Sequence, residues 1–155
     1  MSEFLDSLKG EWRGTATTWF EPGPGFQDPW KVSFRVMPGG GVALQDYTMS
    51  VQGAPHQGWA LIAKEDSGAY TVAWADSFHT GGSSIMNSTG AVDAGGKLSV
   101  LGSYAAGPDE RWGWRTELGR QGAELLLRAF NITPQGDEYP AIEARLQKEP
   151  SGQLG

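Results

Sequence analysis

The feature that most constrains the fold is a series of short segments in which apolar and polar residues alternate between turns. In the clearest of them, Trp30 and Phe34 fall on one face and Lys31 on the other. A period of two residues is that of a β-strand with one buried face. Pro-Gly-Pro-Gly at 22–25 and Pro-Gly-Gly-Gly at 38–41 are typical of turns. The segment therefore predicts a half-buried strand between two turns.

The same pattern recurs along the chain and predicts ten strands. They cover residues 11–20, 30–37, 42–51, 57–64, 69–76, 84–90, 97–104, 110–118, 123–131 and 138–147. The chain has 155 residues, of which 23 are glycine and 9 proline, and this composition favours tight turns over long helices. One or two helical turns are predicted over residues 2–8, with Ser2 as the N-cap and Gly10 as the end.

Ten strands joined by hairpin-length connections form a meander, and closing it into a barrel removes two unpaired edges. We therefore expect an all-β fold, a closed antiparallel meander barrel of about ten strands with a short N-terminal helical turn. A barrel of this width encloses room for a small ligand. A sandwich of two sheets is the alternative that the pattern leaves open.

Composition limits the function classes. The length favours one barrel domain, residues 1–149, with a flexible tail at 150–155. The chain has no cysteine and two histidines, so no metal site is expected. The net charge of −6 argues against nucleic acid as a partner. No apolar run resembles a signal or a membrane span, and we expect a cytoplasmic protein without membrane contact.

Several short motifs resemble a known architecture. Gly10-x-Trp12-x-Gly14 is similar to the opening strand of calycin barrels, which include lipocalins, fatty-acid-binding proteins and haem-binding nitrobindins. The remaining pieces lie in order along the chain: Gln45-Asp46-Tyr47, Gly53-x-Pro55, Trp74-x-Asp76-Ser77-Phe78, Gly102-x-Tyr104 and the final strand at 141–148. Together they resemble an uncharacterised bacterial family, a domain of unknown function with a calycin-like barrel. The resemblance implies a fold and hardly any chemistry.

The resemblance also implies a structural role for the opening tryptophan. Calycins pack a basic residue of the last strand over it, which here implies a cation–π contact of Trp12 with Arg145 or Lys148. Nitrobindins hold haem through a histidine on or near the last strands, and the last two predicted strands contain none. We therefore expect no cofactor.

One segment could carry chemistry. Asp76 and His79 lie three residues apart where a strand gives way to a glycine-rich loop. Asp76 could fix the tautomer of His79 and prepare it as a base or a hydrogen-bond donor. The alternative is that Asp76 only caps the turn through its own backbone.

Aromatic residues are the other candidates for a binding site. The expected cavity-lining residues are Tyr47, Trp59, Tyr70, Trp74, Trp112 and Trp114, with Arg128 as a possible cationic group. Trp112 and Trp114 share one face of their strand, and Arg111 and Arg115 share the other. Burial of unpaired charge is costly, so inward tryptophans are favoured over inward arginines. Plain core packing is the alternative for every one of these aromatics.

These observations favour a barrel that binds a small molecule, apolar or aromatic and possibly anionic. A cofactor-free lyase or isomerase that uses Asp76 and His79 is one alternative, and a structural barrel filled by its own side chains is another. Enzymatic activity is left uncertain and is the less favoured reading. The expected partner is a small-molecule ligand, and the protein is expected to be a monomer or a homodimer.

Overall fold

A computed structural model describes residues 2–150 and contains one helix and ten strands. The helix α1 spans Glu3–Leu8. The strands are β1 Gly10–Thr18, β2 Phe26–Val36, β3 Val42–Val51, β4 Ala54–Lys64, β5 Tyr70–Asp76, β6 Met86–Val92, β7 Leu98–Gly107, β8 Glu110–Gln121, β9 Glu124–Ile132 and β10 Glu138–Lys148. Every predicted strand has a counterpart, with ends that shift by a few residues. Of the expected tail, residues 151–155 lie outside the described part of the chain.

The strands close into a single antiparallel barrel, as predicted. Each strand pairs with its neighbours in sequence, and β1 pairs with β10 to complete the ring. The pairing of β1 with β10 runs without a break from Trp12, opposite Lys148, to Thr18, opposite Ile142. The fold is therefore a closed ten-strand barrel and not a sandwich.

The Gly-x-Trp-x-Gly motif has a physical explanation at each position. Gly10 has a φ of +119°, which lets the chain turn from α1 into β1. The side chain of Trp12 is fully buried, and its Nε1 donates to the carbonyl of Leu8 at 2.8 Å. A Cβ on Gly14 would lie 2.0 Å from the carbonyl oxygen of Arg145, so only glycine allows β10 to approach this closely. The motif builds the closed end of the barrel.

The basic contacts of Trp12 correct one expectation. The Nζ of Lys148 lies 5.7 Å from the ring centroid of Trp12, and the guanidinium carbon of Arg120 lies at 5.4 Å. Arg145 points outward and contacts Glu124 and Glu143 instead. The reason is the alternation of β10, which directs Lys148 and Arg145 to opposite faces. Of the two residues proposed for this contact, Lys148 is the correct one.

The short helix seals the same end of the barrel. Leu5 and Leu8 are fully buried among the inward side chains. Ser2 accepts the N–H of Leu5 as the N-cap, and its hydroxyl lies 2.7 Å from the hydroxyl of Tyr70. The rings of Phe4 and Tyr70 pack in a T-shaped arrangement with their centroids 5.7 Å apart. Tyr70 is therefore part of this plug. Within residues 2–150, no helix is long and apolar enough to cross a membrane.

We predict that Trp12→Ala destabilises the protein strongly. The change leaves a large hole at the closed end and removes the bond to Leu8, so the free energy of unfolding should fall by about 3–5 kcal/mol. Urea denaturation followed by circular dichroism measures this. Met37→Ala is the control, because Met37 is 57% exposed and its loss should change stability by less than about 0.5 kcal/mol. A loss below about 1 kcal/mol for Trp12→Ala would contradict the plug.

Candidate functional site

The end of the barrel opposite α1 is open and contains a cavity of about 630 Å³. Its walls are mostly aromatic and apolar side chains from strand ends and from the loop between β5 and β6. The lining residues are Trp19, Phe20, Trp74, Phe78, His79, Thr80, Ser84, Ile85, Met86, Ser103, Tyr104, Ala105, Arg111, Trp114, Asn131 and Ala141. We call this cavity the mouth pocket.

Two stacked indoles separate the mouth pocket from the barrel interior. The rings of Trp74 and Trp114 are 5.4 Å apart with an angle of 22° between their planes. Both residues also border an inner chamber of about 50 Å³, which Trp30 and Tyr47 help to line. The Nε1 of Trp30 is buried and has no hydrogen-bond partner among residues 2–150. Trp74 and Trp114 thus form the floor of the mouth pocket.

A hydrogen-bonded chain runs from this floor to the strand end. Nε1 of Trp74 donates to the hydroxyl of Tyr47 at 2.8 Å, and that hydroxyl donates to Oδ2 of Asp76 at 2.9 Å. Tyr47 reaches Asp76 across Gly58, the residue opposite both in the sheet. A Cβ on Gly58 would lie 2.2 Å from the Tyr47 ring, so this glycine makes the contact possible.

Asp76 also holds the following loop and its histidine. Its Oδ1 accepts the N–H groups of Phe78 and Thr80, each at 3.0 Å. Its Oδ2 lies 3.0 Å from Nδ1 of His79. This oxygen accepts two hydrogen bonds, one from the Nδ1–H of His79 and one from the hydroxyl of Tyr47. The His79 ring packs against Trp74, Trp114 and Phe78. Asp76 therefore caps the turn and orients His79 at the same time, so the two sequence-based interpretations of this residue coexist.

The electrostatics fix the charge state of the two groups beneath the pocket. Burial acts to raise the pKa of Asp76, but the hydrogen bond and charge of His79, with bonds from Thr80 and Tyr47, outweigh it and hold the pKa below 3.8. Burial raises the pKa of the Tyr47 hydroxyl well above 10.0, and the charge of Asp76 adds to the effect. At neutral pH, Asp76 is a carboxylate and Tyr47 a neutral donor.

The structure brings together five of the predicted site residues and separates the other four. Tyr47, Trp74, Asp76, His79 and Trp114 form the connected group just described. Four of them lie on the inward face of β3, β5 and β8, and His79 lies in the loop after β5.

The other four predicted residues lie elsewhere, which corrects those expectations. Trp59 is 56% exposed on the outer face of β4, because Ala60 and Ile62 take the inward positions. Arg128 faces outward toward Glu143, since Leu127 and Ala129 face in. Tyr70 belongs to the closed end. Trp112 has the inward parity of Trp114 but lies beyond the cavity, where its Nε1 donates to Glu110.

Several residues of the site were not among those predicted. Phe78 and Tyr104 lie in motifs that the sequence had singled out, and both line the mouth pocket. Phe20 stood at a predicted strand end and packs against Phe78 from another side of the opening. No local pattern marks Gly58, because its role depends on the register between β3 and β4. Within residues 2–150, no group of three or more His, Cys, Asp or Glu side chains could hold a metal ion.

We predict that Asp76→Asn destabilises the protein in a pH-dependent manner. The folded-state pKa of Asp76 is lowered, so its carboxylate stabilises the fold above the unfolded pKa of about 3.9, and this stabilisation is lost as pH falls through the folded value. The variant should lose about 1.5–3 kcal/mol at pH 7, since it loses charged hydrogen bonds. Its difference from the native protein should shrink below about pH 4.

Urea denaturation between pH 7 and pH 3 measures this difference. Asp66→Asn, in an exposed turn, is the matched control and should show little change at any of these pH values. A difference between native protein and Asp76→Asn that stays constant down to pH 3 would be inconsistent with the proposed carboxylate network.

Comparison with known proteins agrees with the barrel. The crystal structure of Rv2717c from M. tuberculosis is similar, with a TM-score of 0.66, 15% identity, and coverage of 97% of this chain and 99% of that one. A protein of unknown function from the DUF3598 family of Nostoc punctiforme PCC 73102 matches at a TM-score of 0.41 and 11% identity, over 94% of this chain and 48% of that one. At 15% identity the first comparison supports the fold alone. The second, with a TM-score of 0.41, carries no argument.

No curated protein matches the chain. The profile of one family does match, over residues 1–148, and its description is "Protein of unknown function (DUF1579)". The match covers α1 and all ten strands, including the mouth pocket and Asp76. The chain therefore belongs to the DUF1579 family.

Proposed function

We propose that the protein binds a small aromatic molecule with an anionic group in the mouth pocket. The observation that carries the proposal is the open cavity of about 630 Å³ with a stacked pair of tryptophans as its floor. Ligand pockets in proteins typically measure about 300–1,000 Å³ and are lined by apolar and aromatic groups. Indole faces suit flat aromatic rings, which stack with an offset on them.

The charge of the lining supports an anionic ligand. Among the described residues, the mouth pocket has no Asp or Glu in its lining and one formal cation, Arg111 at the rim. Nη2 of Arg111 donates to the hydroxyl of Ser103 at 2.9 Å, which leaves other guanidinium N–H groups for a ligand. A carboxylate or sulfonate at the rim would pair with Arg111.

His79 supplies a polar contact deeper in the pocket. Its Nδ1 is committed to Asp76, so Nε2 is the ring nitrogen left for a ligand. The His79 side chain is only 14% exposed, and aromatic rings surround it. An oriented imidazole in such a place can accept a proton from a ligand hydroxyl or, when protonated, donate to it.

Two matched dyes test the proposal. N-phenyl-1-naphthylamine and 1-anilinonaphthalene-8-sulfonate share one ring system and differ by the sulfonate. We expect both to fluoresce on binding at a ratio of one per chain, and Phe78→Ala to weaken both. Arg111→Gln should weaken the sulfonate about fivefold, as for an exposed ion pair worth about 1 kcal/mol, and leave the neutral dye unchanged.

Two control variants separate the pocket from unspecific surface binding. Arg35→Gln removes an exposed arginine from the outer face of β2, and Met37→Ala removes an exposed apolar side chain near the closed end. Neither should alter the binding of either dye. Failure of both dyes to bind would overturn the proposal, and equal effects of Arg111→Gln and Arg35→Gln would overturn its anionic part.

A cofactor-free lyase or isomerase is the second candidate, because the Asp76–His79 contact of 3.0 Å also suits a general base. Compounds found to bind can be incubated with the protein and analysed by mass spectrometry. Binding without conversion, weakened only a few fold in His79→Gln, is the result expected from a binding protein. Conversion that disappears in His79→Gln while the compound still binds would favour the enzyme.

A further inference from the structure

The inner chamber beneath the tryptophan floor has polar side chains at positions that are usually apolar in a protein core. Gln45 and Ser88 point inward from β3 and β6 and are 7% and 6% exposed, and Thr116 on β8 borders the same space. A buried polar group nearly always has a hydrogen-bond partner, because otherwise the cost of removing it from water is not compensated. The chamber therefore gathers groups that require partners.

The barrel itself does not supply these partners. Within residues 2–150, the structure shows no hydrogen bond of the Gln45 amide or of the Ser88 and Thr116 hydroxyls, which open onto the chamber. Trp30 also borders the chamber, and its buried Nε1 has no acceptor within the same residues. Tyr47 differs from them, because its hydroxyl is bonded to Trp74 and to Asp76. Four strands thus present polar groups that are free for an occupant.

The chamber carries no formal charge. Among the described residues, its lining contains no Asp, Glu, Lys, Arg or His. The hydroxyl of Tyr47, which also borders it, stays neutral because burial raises its pKa well above 10.0. A charged occupant would lose its hydration without gaining a counter-charge, which is costly in an enclosed space. The lining therefore favours a neutral occupant.

The volume of the chamber limits the occupant to about four non-hydrogen atoms. It measures about 50 Å³, and a cavity needs roughly 10–15 Å³ to hold one water-sized atom. Water alone fits the walls poorly, since a buried water makes about three hydrogen bonds and much of the wall is apolar surface of Val100, Leu127 and Ile142. A compact molecule with one polar and one apolar end suits both parts of the lining.

We propose that the inner chamber binds a small neutral carboxamide of about four non-hydrogen atoms. The Gln45 amide offers both donors and an acceptor, so a second carboxamide is complementary to it. The hydroxyls of Ser88 and Thr116 can donate or accept as the occupant requires. Trp74 and Trp114 border both cavities, so the chamber is reached from the mouth pocket when one indole of the floor moves aside. The inference requires no ligand in the mouth pocket.

Acetamide and acetate test the proposal, because at pH 7 they have nearly the same shape and differ in charge. The readout is the pair of side-chain amide signals of Gln45 in ¹H–¹⁵N spectra of the full chain, assigned by their loss in Gln45→Leu. We expect acetamide to shift these signals in a saturable manner, with a dissociation constant of about 1–10 mM for so small a ligand. Acetate at the same concentrations should leave them unchanged.

A matched pair of variants locates the binding. Thr116→Val keeps the shape of the side chain and removes a hydroxyl of the chamber, so it should weaken acetamide about fivefold. Thr89→Val makes the same change on the exposed outer face of β6 and should leave binding unchanged. Ser88→Ala should act like Thr116→Val. Circular dichroism shows whether each variant has folded, and Ser88→Ala retains the test if Thr116→Val does not fold.

Four outcomes would overturn the proposal. The first is the lack of a saturable shift up to about 100 mM acetamide, ten times the weakest affinity expected. The second is an equal shift with acetate, and the third is a Thr89→Val variant that weakens binding as much as Thr116→Val. The fourth is a water signal that persists next to the Gln45 amide in nuclear Overhauser spectra at the highest acetamide concentration, which would assign the chamber to water alone. Failure of the dyes to bind would concern the mouth pocket and not this result.

Discussion

The pairing of β1 with β10 is the constraint on which the rest of the structure depends. It turns a ten-strand meander into a ring, and only a ring has an interior that can be sealed at one end and open at the other. The contact is close because Gly14 has no side chain to obstruct the backbone of β10. Trp12 then fills the end that α1 covers, and the aromatic mouth is left at the far end. The closing contact between β1 and β10 thus determines which end of the barrel is sealed, and the candidate site lies at the other end.

Much of the fold follows from local pattern. Alternation in a segment such as 30–37 and the glycine turns between segments are enough to give the strands, their order and the inward face of β2. For β8 they favour inward tryptophans over inward arginines without deciding between them, and the buried Trp114 and exposed Arg111 follow the favoured arrangement, in agreement with the cost of burying charge. Alternation and turn chemistry are short-range rules, and the sequence expresses them directly. Closure into a barrel is favoured because it removes two unpaired edges, but the pattern also leaves a sandwich of two sheets open.

The candidate site is predictable only in part, because it depends on register across strands. The turn segment with Asp76 and His79 is visible in the sequence, but its link to Tyr47 requires Gly58 to lie between the two strands that carry them. Trp59 and Arg128 were predicted to line the cavity, and both face outward. Each lies in a segment where both faces carry apolar residues, so alternation does not determine which face is inward. The pairing of strands in the folded barrel determines which way each of the two side chains faces.

The distribution of tryptophan has a consequence for spectroscopy. Trp12 lies in the sealed end without solvent contact, Trp59 stands on the outer wall with more than half of its surface in water, and Trp74 and Trp114 stack together at the floor of the mouth. Stacked indoles couple electronically and give a signal in circular dichroism that isolated indoles lack. The floor of the mouth pocket therefore carries an optical signal of its own, and a change there can be followed without labelling the protein.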